Sequence, residues 1–402
     1  MKNKVLFTDV VWFQEGPGIR LNQYTSTGIK LLNVSNLING KIDLSTSDRY
    51  ISKEEAYGKY KHFLVDENDF IIASSGIKVD YFEKKMGFVP KKDLPLCMNT
   101  STIRFKSLNK TILDIRYFMY FLKSNEFKRQ LNKQITGSAQ LNFGPSHLKK
   151  MFIPLIPLLE QKKIVNILDK INSLINIQED RIKAFDLLVK SRFTELFGDI
   201  CKNNKQWNII NLGDLFKVSS SKRIYQNEHM KKGVPFFRIA DLMKKISTGS
   251  CSTEIFISDN KYNELKNSGY VPKSGDILLT SRGTLGECYV ITKDDKFYFQ
   301  DGMISWLSPI DKNININYIV HLFCMPEFKK QFSNHTSGST VDYLSIENIR
   351  RLRIPLPNNN LQNKFDKDVH KIDKSKIADL ITFLLRLNLK LLRLIFELLG
   401  RV

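Results

Sequence analysis

EQKKIVNILDKINSLINIQEDRIKAFDLLVKSRFTELF, residues 160–197, is the stretch around which the rest of the chain is arranged. The stretch follows Pro154 and Pro157, ends at the Gly198-Asp199 break, and holds neither proline nor glycine. Apolar side chains recur at Ile164, Leu168, Ile171, Ile175, Ile182, Phe185, Val189 and Leu196, in alternating steps of four and three. Gln178 and Arg192 fill the remaining heptad slots. That spacing is a coiled-coil seam, narrower than the stripe of an ordinary surface helix. At ~1.5 Å per residue the helix would span roughly 55–60 Å, the length of a spacer.

A second run closes the chain, with Leu380, Leu384, Leu387, Leu391, Leu394 and Leu398 stepping in the same way. Between Ile372 and Leu380 the phase slips, which reads as a stutter or a short break. Two seams on one chain are most simply satisfied by each other. Each run also follows a copy of one repeated unit. At an offset of 201, residues 117–171 align without a gap on residues 318–372. Shared residues include Tyr117/Tyr318, Gln130/Gln331, Gly137-Ser138/Gly338-Ser339, Ile153-Pro154-Leu155/Ile354-Pro355-Leu356 and Gln161/Gln362. Upstream, Asp69–Gly76 matches Asp276–Gly283, and Gly28-Ile29 matches Gly233-Val234. The chain is therefore a tandem duplication, each copy a globular domain followed by a long helix. The expected fold is α+β: two mixed α/β domains and two long helices in an antiparallel coiled coil, with pseudo-two-fold symmetry. Expected boundaries are 1–158, 159–200, 201–357 and 358–402.

With 402 residues and 42% hydrophobic content, two domains of ordinary size can each bury a core. A formal charge of +21 points to a polyanion, nucleic acid or an acidic membrane; a Lys-rich genome is the bland alternative. Five scattered cysteines, never CxxC, fit a reducing cytoplasm and give neither a zinc site nor a disulfide framework. The final apolar run is interrupted by Arg386, Lys390, Arg393 and Glu397, so it reads poorly as a membrane span. Phosphate loops, dinucleotide fingerprints, HExxH, GxSxG and the base-holding motif of amino-methyltransferases are all missing. Asp66-Glu67-Asn68-Asp69 reads as a solvated turn rather than a metal site. No catalytic residue, metal or cofactor is expected.

Strands are expected at Gly28–Val34, Phe70–Ala73, Thr100–Phe105, Val234–Ala240 and Asp276–Thr280, and Trp207–Val218 opens the second copy. Helices are expected over Ile115–Gln134 and Asn317–Gln331, with short ones near Pro145–Lys150 and Ser345–Arg351.

Small, polar and cationic side chains in matched loops are the candidate nucleic-acid contacts, because Arg and Lys reach guanine edges or phosphates and amides can bond adenine twice. In the first copy these are Arg20 (in the Gly16–Arg20 loop), Asn33, Ser74, Ser75, Lys78, Gln140 and Asn142. In the second they are Lys222 and Arg223, Arg238, Thr280, Ser281, Arg282 and Thr284, Thr340 and Tyr343. The loop residues could equally sit on solvated hairpin tips, and Asn33 and Arg238, at equivalent positions, could pair within the fold.

The order of recognition domain, Gly-Ser, Ile-Pro-Leu, Gln-Lys and long helix, given twice, resembles the specificity (S) subunit of type I restriction–modification systems. Ile153–Gln161 looks like that family's junction between recognition domain and helix, and Ile354–Pro357 with Gln362 is its second occurrence; Asn358-Asn359-Asn360 departs from the first copy's Leu158-Leu159-Glu160. The resemblance covers nearly the whole chain. It implies a non-catalytic, cytoplasmic subunit whose two target recognition domains each read half of a split site in double-stranded DNA, in the major groove. The paired helices would fix the gap and dock two methyltransferase (M) subunits, with restriction (R) subunits joining for cleavage. Rival readings are a specificity module of another phage-defence methylation system, an enzyme with an unfamiliar motif, and a structural coiled-coil or RNA-binding protein.

Overall fold

The computed structural model describes residues 4–77, 79–134, 141–311, 314–333 and 343–399. The chain divides into two compact units, Met1–Ile175 and Asn176–Val402, the division falling inside the central helix Leu158–Phe197.

In the first unit an antiparallel sheet runs in the order Val11–Glu15, Thr102–Ser107, Phe70–Ala73, Met86–Phe88. Phe70–Ala73 is buried along its whole length, as a continuous apolar run in an inner strand requires. Phe118 of the helix Ile115–Leu122 covers it, its ring 5.1 Å from that of Phe105. A smaller sheet sets Ile29–Leu32 between Leu96–Met98, parallel, and Tyr50–Ile51, antiparallel. The second unit repeats both sheets. Its larger one runs Phe216–Ser220, Ile304–Pro309, Ile277–Thr280, Cys288–Val290, all antiparallel. Its smaller one sets Val234–Phe237 between Tyr298–Phe299, parallel, and Phe256–Ile257, antiparallel. The repetition reaches single dihedrals. Gly28 and Gly233 both have φ 134°, and a Cβ there would lie 2.1 Å from the Ile51 carbonyl oxygen and 2.3 Å from that of Ile257. Only glycine tolerates either position.

Several residues identical in both copies lock each domain to its long helix and to the short strand that precedes it, Phe152–Pro154 or Arg353–Leu356. Gln161 and Gln362 are fully buried. The Gln161 amide oxygen accepts from the Asp114 N–H at 2.9 Å, and its Nε2 donates to the Ile112 and Ile156 carbonyls at 2.8 Å. Gln362 accepts from Asn315 N–H at 3.1 Å and donates to the Pro357 carbonyl at 2.8 Å. The Tyr117 hydroxyl donates to the Pro154 carbonyl, as Tyr318 does to Pro355. Gln130 exchanges two bonds with the backbone of Phe152, and Gln331 two with Arg353. Gln161→Leu should therefore destabilise the first unit by roughly 1–3 kcal/mol, because three part-buried backbone groups lose their partner. Urea unfolding would read this, and a loss below ~1 kcal/mol would contradict it.

In the second unit the two long helices lie antiparallel. Arg192 bonds Asp368 at 2.7 Å, Lys376 bonds Asp186 at 2.6 Å, and Asp379 meets both Arg181 and Gln178. One residue number falls as its partner's rises. The polar heptad slots Gln178 and Arg192 are thus points of registry; exposed ion pairs add little energy but a polar seam residue fixes alignment. Burial comes from Val189, Phe193, Phe197, Phe365 and Val369.

Several expectations need correction. The C-terminal helix Asn359–Leu399 neither breaks nor stutters at Ile372–Leu380. Its less exposed positions run Phe365, Val369, Ile372, Lys376, Asp379 and Phe383, so the seam keeps phase through Lys376 and Asp379, while Ile377, Leu380 and Leu384 are exposed. Apolar periodicity alone thus misplaced Leu380 and Leu384, while Leu387 is half-buried and the side chains of Leu391, Leu394 and Leu398 lie outside the described ones. The expected helices Ile115–Gln134 and Asn317–Gln331 are each two: Ile115–Leu122 and Asn125–Gln134, Ile316–Cys324 and Pro326–Ser333. The Ser124 hydroxyl caps one new start and Pro326 forces the other. The expected strand Val234–Ala240 ends at Phe237, because the Asp241 carboxylate takes the Arg238 N–H and starts a helix at Ile239. Asp69, expected in a solvated turn, is buried and paired with Arg104 at 3.2 Å.

Candidate nucleic-acid interface

Each larger sheet has one end where chain reversals gather. In the second unit that end is made by the exit of Phe216–Ser220, the exit of Ile277–Thr280 and the entry of Ile304–Pro309, with Ser220 opposite Ser305 and Thr280 opposite Ile304. Every described candidate of this unit lies there. Lys222 leaves the first strand, its N–H donating to the Tyr298 hydroxyl at 2.8 Å and its ammonium 4.0 Å from the Tyr270 ring centroid. Burial raises the Tyr298 phenol to about 12, so this acceptor stays neutral. Arg223 pairs with Asp301 at 3.0 Å on the neighbouring reversal. Arg238 follows Phe237, whose carbonyl accepts from Gln300 N–H at 2.9 Å, and faces Asp241 at 3.7 Å.

The loop after Thr280 is built on buried hydroxyls. Thr280 Oγ1 donates to the Thr284 carbonyl at 2.6 Å and accepts from Glu287 N–H at 2.9 Å. Ser281 Oγ lies 2.7 Å from Ser305 Oγ, its N–H donates to the Met303 carbonyl, and its carbonyl accepts from Leu344 N–H. Arg282, Gly283 and Thr284 are left exposed at the tip, with Tyr343 bridged to Arg282 through the backbone. Thr280 and Ser281 are therefore positioning groups, and Arg282, Thr284 and Tyr343 are presented outward.

The first unit builds the same end. Ser74 N–H donates to the Ser101 carbonyl and its carbonyl accepts from Phe143 N–H, as at Ser281. Ser74 is buried; Ser75 follows it, its hydroxyl bonded to Ser101 Oγ at 2.7 Å, and Asn142 lies opposite Ser75 in the adjoining strand. Gly76, at φ 72°, and Gly283, at φ 74°, turn the two tips alike. Arg20 is exposed beside the exit of Val11–Glu15. Asn33 is buried, donating to the Leu31 carbonyl at 3.1 Å and accepting from Asn99 at 2.9 Å. Lys78, Gln140 and Thr340, and both Gly-Ser pairs, lie outside the described residues.

One residue of this end escaped the sequence reading. The Asn99 amide oxygen accepts from the Ile19 and Thr100 N–H groups, and its Nδ2 donates to Tyr24 and Asn33. It ties the Arg20 loop to the Asn33 position across 66 and more residues of sequence, a link no local pattern carries. Glu15 lies at this end as well, and burial raises its carboxyl above the ordinary value, which disfavours its charge. Among the described residues no group of three or more His, Cys, Asp or Glu could hold a metal, and no helix is long and apolar enough to cross a membrane.

Duplicated α+β units, each running into a long helix and each collecting its polar loops at one sheet end, make a class of protein built from two repeated domain-and-helix units. Residues 8–184 and 204–382 both match the family model described as the type I restriction modification DNA specificity domain, and the chain belongs to that family. A specificity subunit of the type I restriction enzyme MjaVIII, from Methanocaldococcus jannaschii, is 25% identical over 335 residues, 78% of this chain and 74% of that one. A relative from Haemophilus influenzae, named as a type I restriction enzyme specificity subunit, is 26% identical over 253 residues, 62% of this chain and 61% of its own length. A solved structure from work on assembly and conformational transition of the type I R-M system covers 98% of this chain and 95% of its own, at 17% identity and TM-score 0.51. That likeness is one of fold.

Proposed function

We propose that the chain is a sequence-specific DNA-binding subunit that carries no catalytic residues of its own and works in a type I restriction–modification complex. Each unit reads one half of a bipartite duplex site, and the long helices set the gap between the halves. Partner methyltransferase subunits, two in the fullest assembly, dock on the chain and modify the DNA it selects; restriction subunits join them for cleavage. The setting is the cytoplasm, where such complexes meet incoming DNA.

The observation that carries this reading is the convergence of the described candidates on the same end of the larger sheet in both units. A net charge of +21 supports a polyanionic partner. The helices, of 40 and 41 residues, are long enough to act as a spacer. Shared scaffolds with divergent tips suit two readers of different sequences. The proposed contacts are Arg20, Ser75 and Asn142 in the first unit, with Lys78 and Gln140 alongside. In the second they are Lys222, Arg223, Arg238, Arg282, Thr284 and Tyr343, with Thr340. Asn33, Ser74, Thr280 and Ser281 hold these loops in place.

The test is selection of randomised duplex DNA by the full-length chain, followed by sequencing. A motif of two short specified segments separated by a fixed unspecified gap is expected. Recovery of sequences without preference, or equal capture of duplex RNA, would contradict the proposal.

A further inference from the structure

We infer that Arg282 is the guanine-reading side chain of the second unit, an assignment that rests on the DNA-reading function proposed above. Four of the described candidates at this sheet end are cations, and three are engaged: Lys222 with the Tyr270 ring, Arg223 with Asp301, Arg238 with Asp241. The exposed Arg282 guanidinium has no side-chain partner among the described residues. Its backbone, by contrast, is fixed. Ser281 before it is held by Met303, Leu344 and Ser305, and Thr280 closes the loop through Thr284, Gly286 and Glu287. An unpaired planar donor on a hydrogen-bonded platform can meet a ligand without breaking a pair, which is where binding energy is usually lost.

Gly283 follows at φ 74°, and a Cβ there would meet nothing within 4 Å. The tip is open on that side, so the backbone can approach a groove wall closely. The five-donor fork of arginine matches the two acceptors of guanine, O6 and N7, in the major groove.

Comparison of the copies separates a base from a phosphate. The first unit has the same tip, with Ser74 held by Ser101 and Phe143 and Gly76 at φ 72°. Its residue at the Arg282 position is Ser75, whose hydroxyl is bonded to Ser101. Every duplex offers the same phosphates, so a phosphate contact at this matched position would favour a cation in both copies. A matched backbone carrying a guanidinium in one copy and a short, occupied hydroxyl in the other is what different base choices require.

Selection from randomised duplexes by the full-length protein tests this, with wild type, Arg282→Ala and Arg282→Gln compared. Wild type is expected to specify a guanine that Arg282→Ala relaxes by about 5- to 150-fold at that single base pair. Arg282→Gln is expected to move the preference there to adenine, since a carboxamide bonds adenine N6 and N7. All other positions should keep their preference, which also shows that the variants are folded. A uniform loss of affinity on every sequence would assign Arg282 to phosphate and overturn the inference, as would an unchanged motif. If wild type itself selects no sequence, the DNA-reading function fails and the inference with it; a bipartite motif that Arg282 variants leave intact removes only the inference.

Discussion

Phe193→Ala is expected to destabilise the second unit by about 3–5 kcal/mol, read as a lower midpoint of urea unfolding. Phe193 is 1% exposed and stands where three helices meet. Its ring centroid lies 4.7 Å from Phe197 on the same helix, 5.7 Å from Tyr318 of the domain and 5.3 Å from Phe365 of the C-terminal helix. Alanine would leave a cavity that three helices cannot close without breaking the Tyr318 bond to Pro355 or the Arg192 bridge to Asp368. Phe193→Leu keeps most of the volume and should cost under roughly 2 kcal/mol. A loss below ~1 kcal/mol for alanine would mean that the cluster does not join domain to helices.

Arg104→Ala is expected to cost the first unit a comparable ~3–5 kcal/mol, the usual result of removing one partner of a buried ion pair. The Arg104 guanidinium donates to the Leu64 carbonyl at 2.7 Å, the His62 carbonyl at 2.9 Å, Gln14 at 2.6 Å and Asp69 at 3.2 Å. Those carbonyls lie in the connection to the smaller sheet, so one side chain staples it to the larger. The second unit carries Trp306 at the strand position that Arg104 holds in the first. There the matched carboxylate, Asp276, accepts from the Trp306 indole N–H at 2.8 Å and the Lys273 backbone N–H at 2.7 Å. Trp306→Phe should cost about 1.5–3 kcal/mol, the value of a hydrogen bond to a charged group, and less than Arg104→Ala. The reverse order would mean that the first unit's ion pair adds nothing beyond packing.

That divergence marks where the sequence was readable. Seam spacing and the 201-residue offset exposed both long helices and the duplication, because both are periodic signals summed over many residues. Individual locks such as Gln161 and Gln362 appeared only as identities; that they are buried caps on domain backbone required the fold. Helix and strand ends were misplaced where a single local competitor won: Ser124 or Pro326 for the helices, the Asp241 carboxylate for the strand. The phase slip at Ile377 was a false signal, since Lys376 and Asp379 occupy the seam and apolar residues beside them stay exposed. At the candidate interface, strand-exit loops were found from composition, and their convergence on one sheet end from none. Buried Ser74, Thr280 and Ser281 and exposed Arg282 look alike in a list of polar loop residues. Only packing separates the groups that hold a tip from the group that is offered by it.

On the proposed function, two related readers share one duplex at a separation fixed by the long helices. Adding one heptad after Lys183 and one after Lys376 extends both helices at facing points of their paired segment, at ~1.5 Å per residue. With duplex DNA repeating about every 34–36 Å per 10–10.5 bp, the selected gap should lengthen by about 3 bp while both specified segments stay the same. A gap of unchanged length, with both segments still selected, would contradict the account.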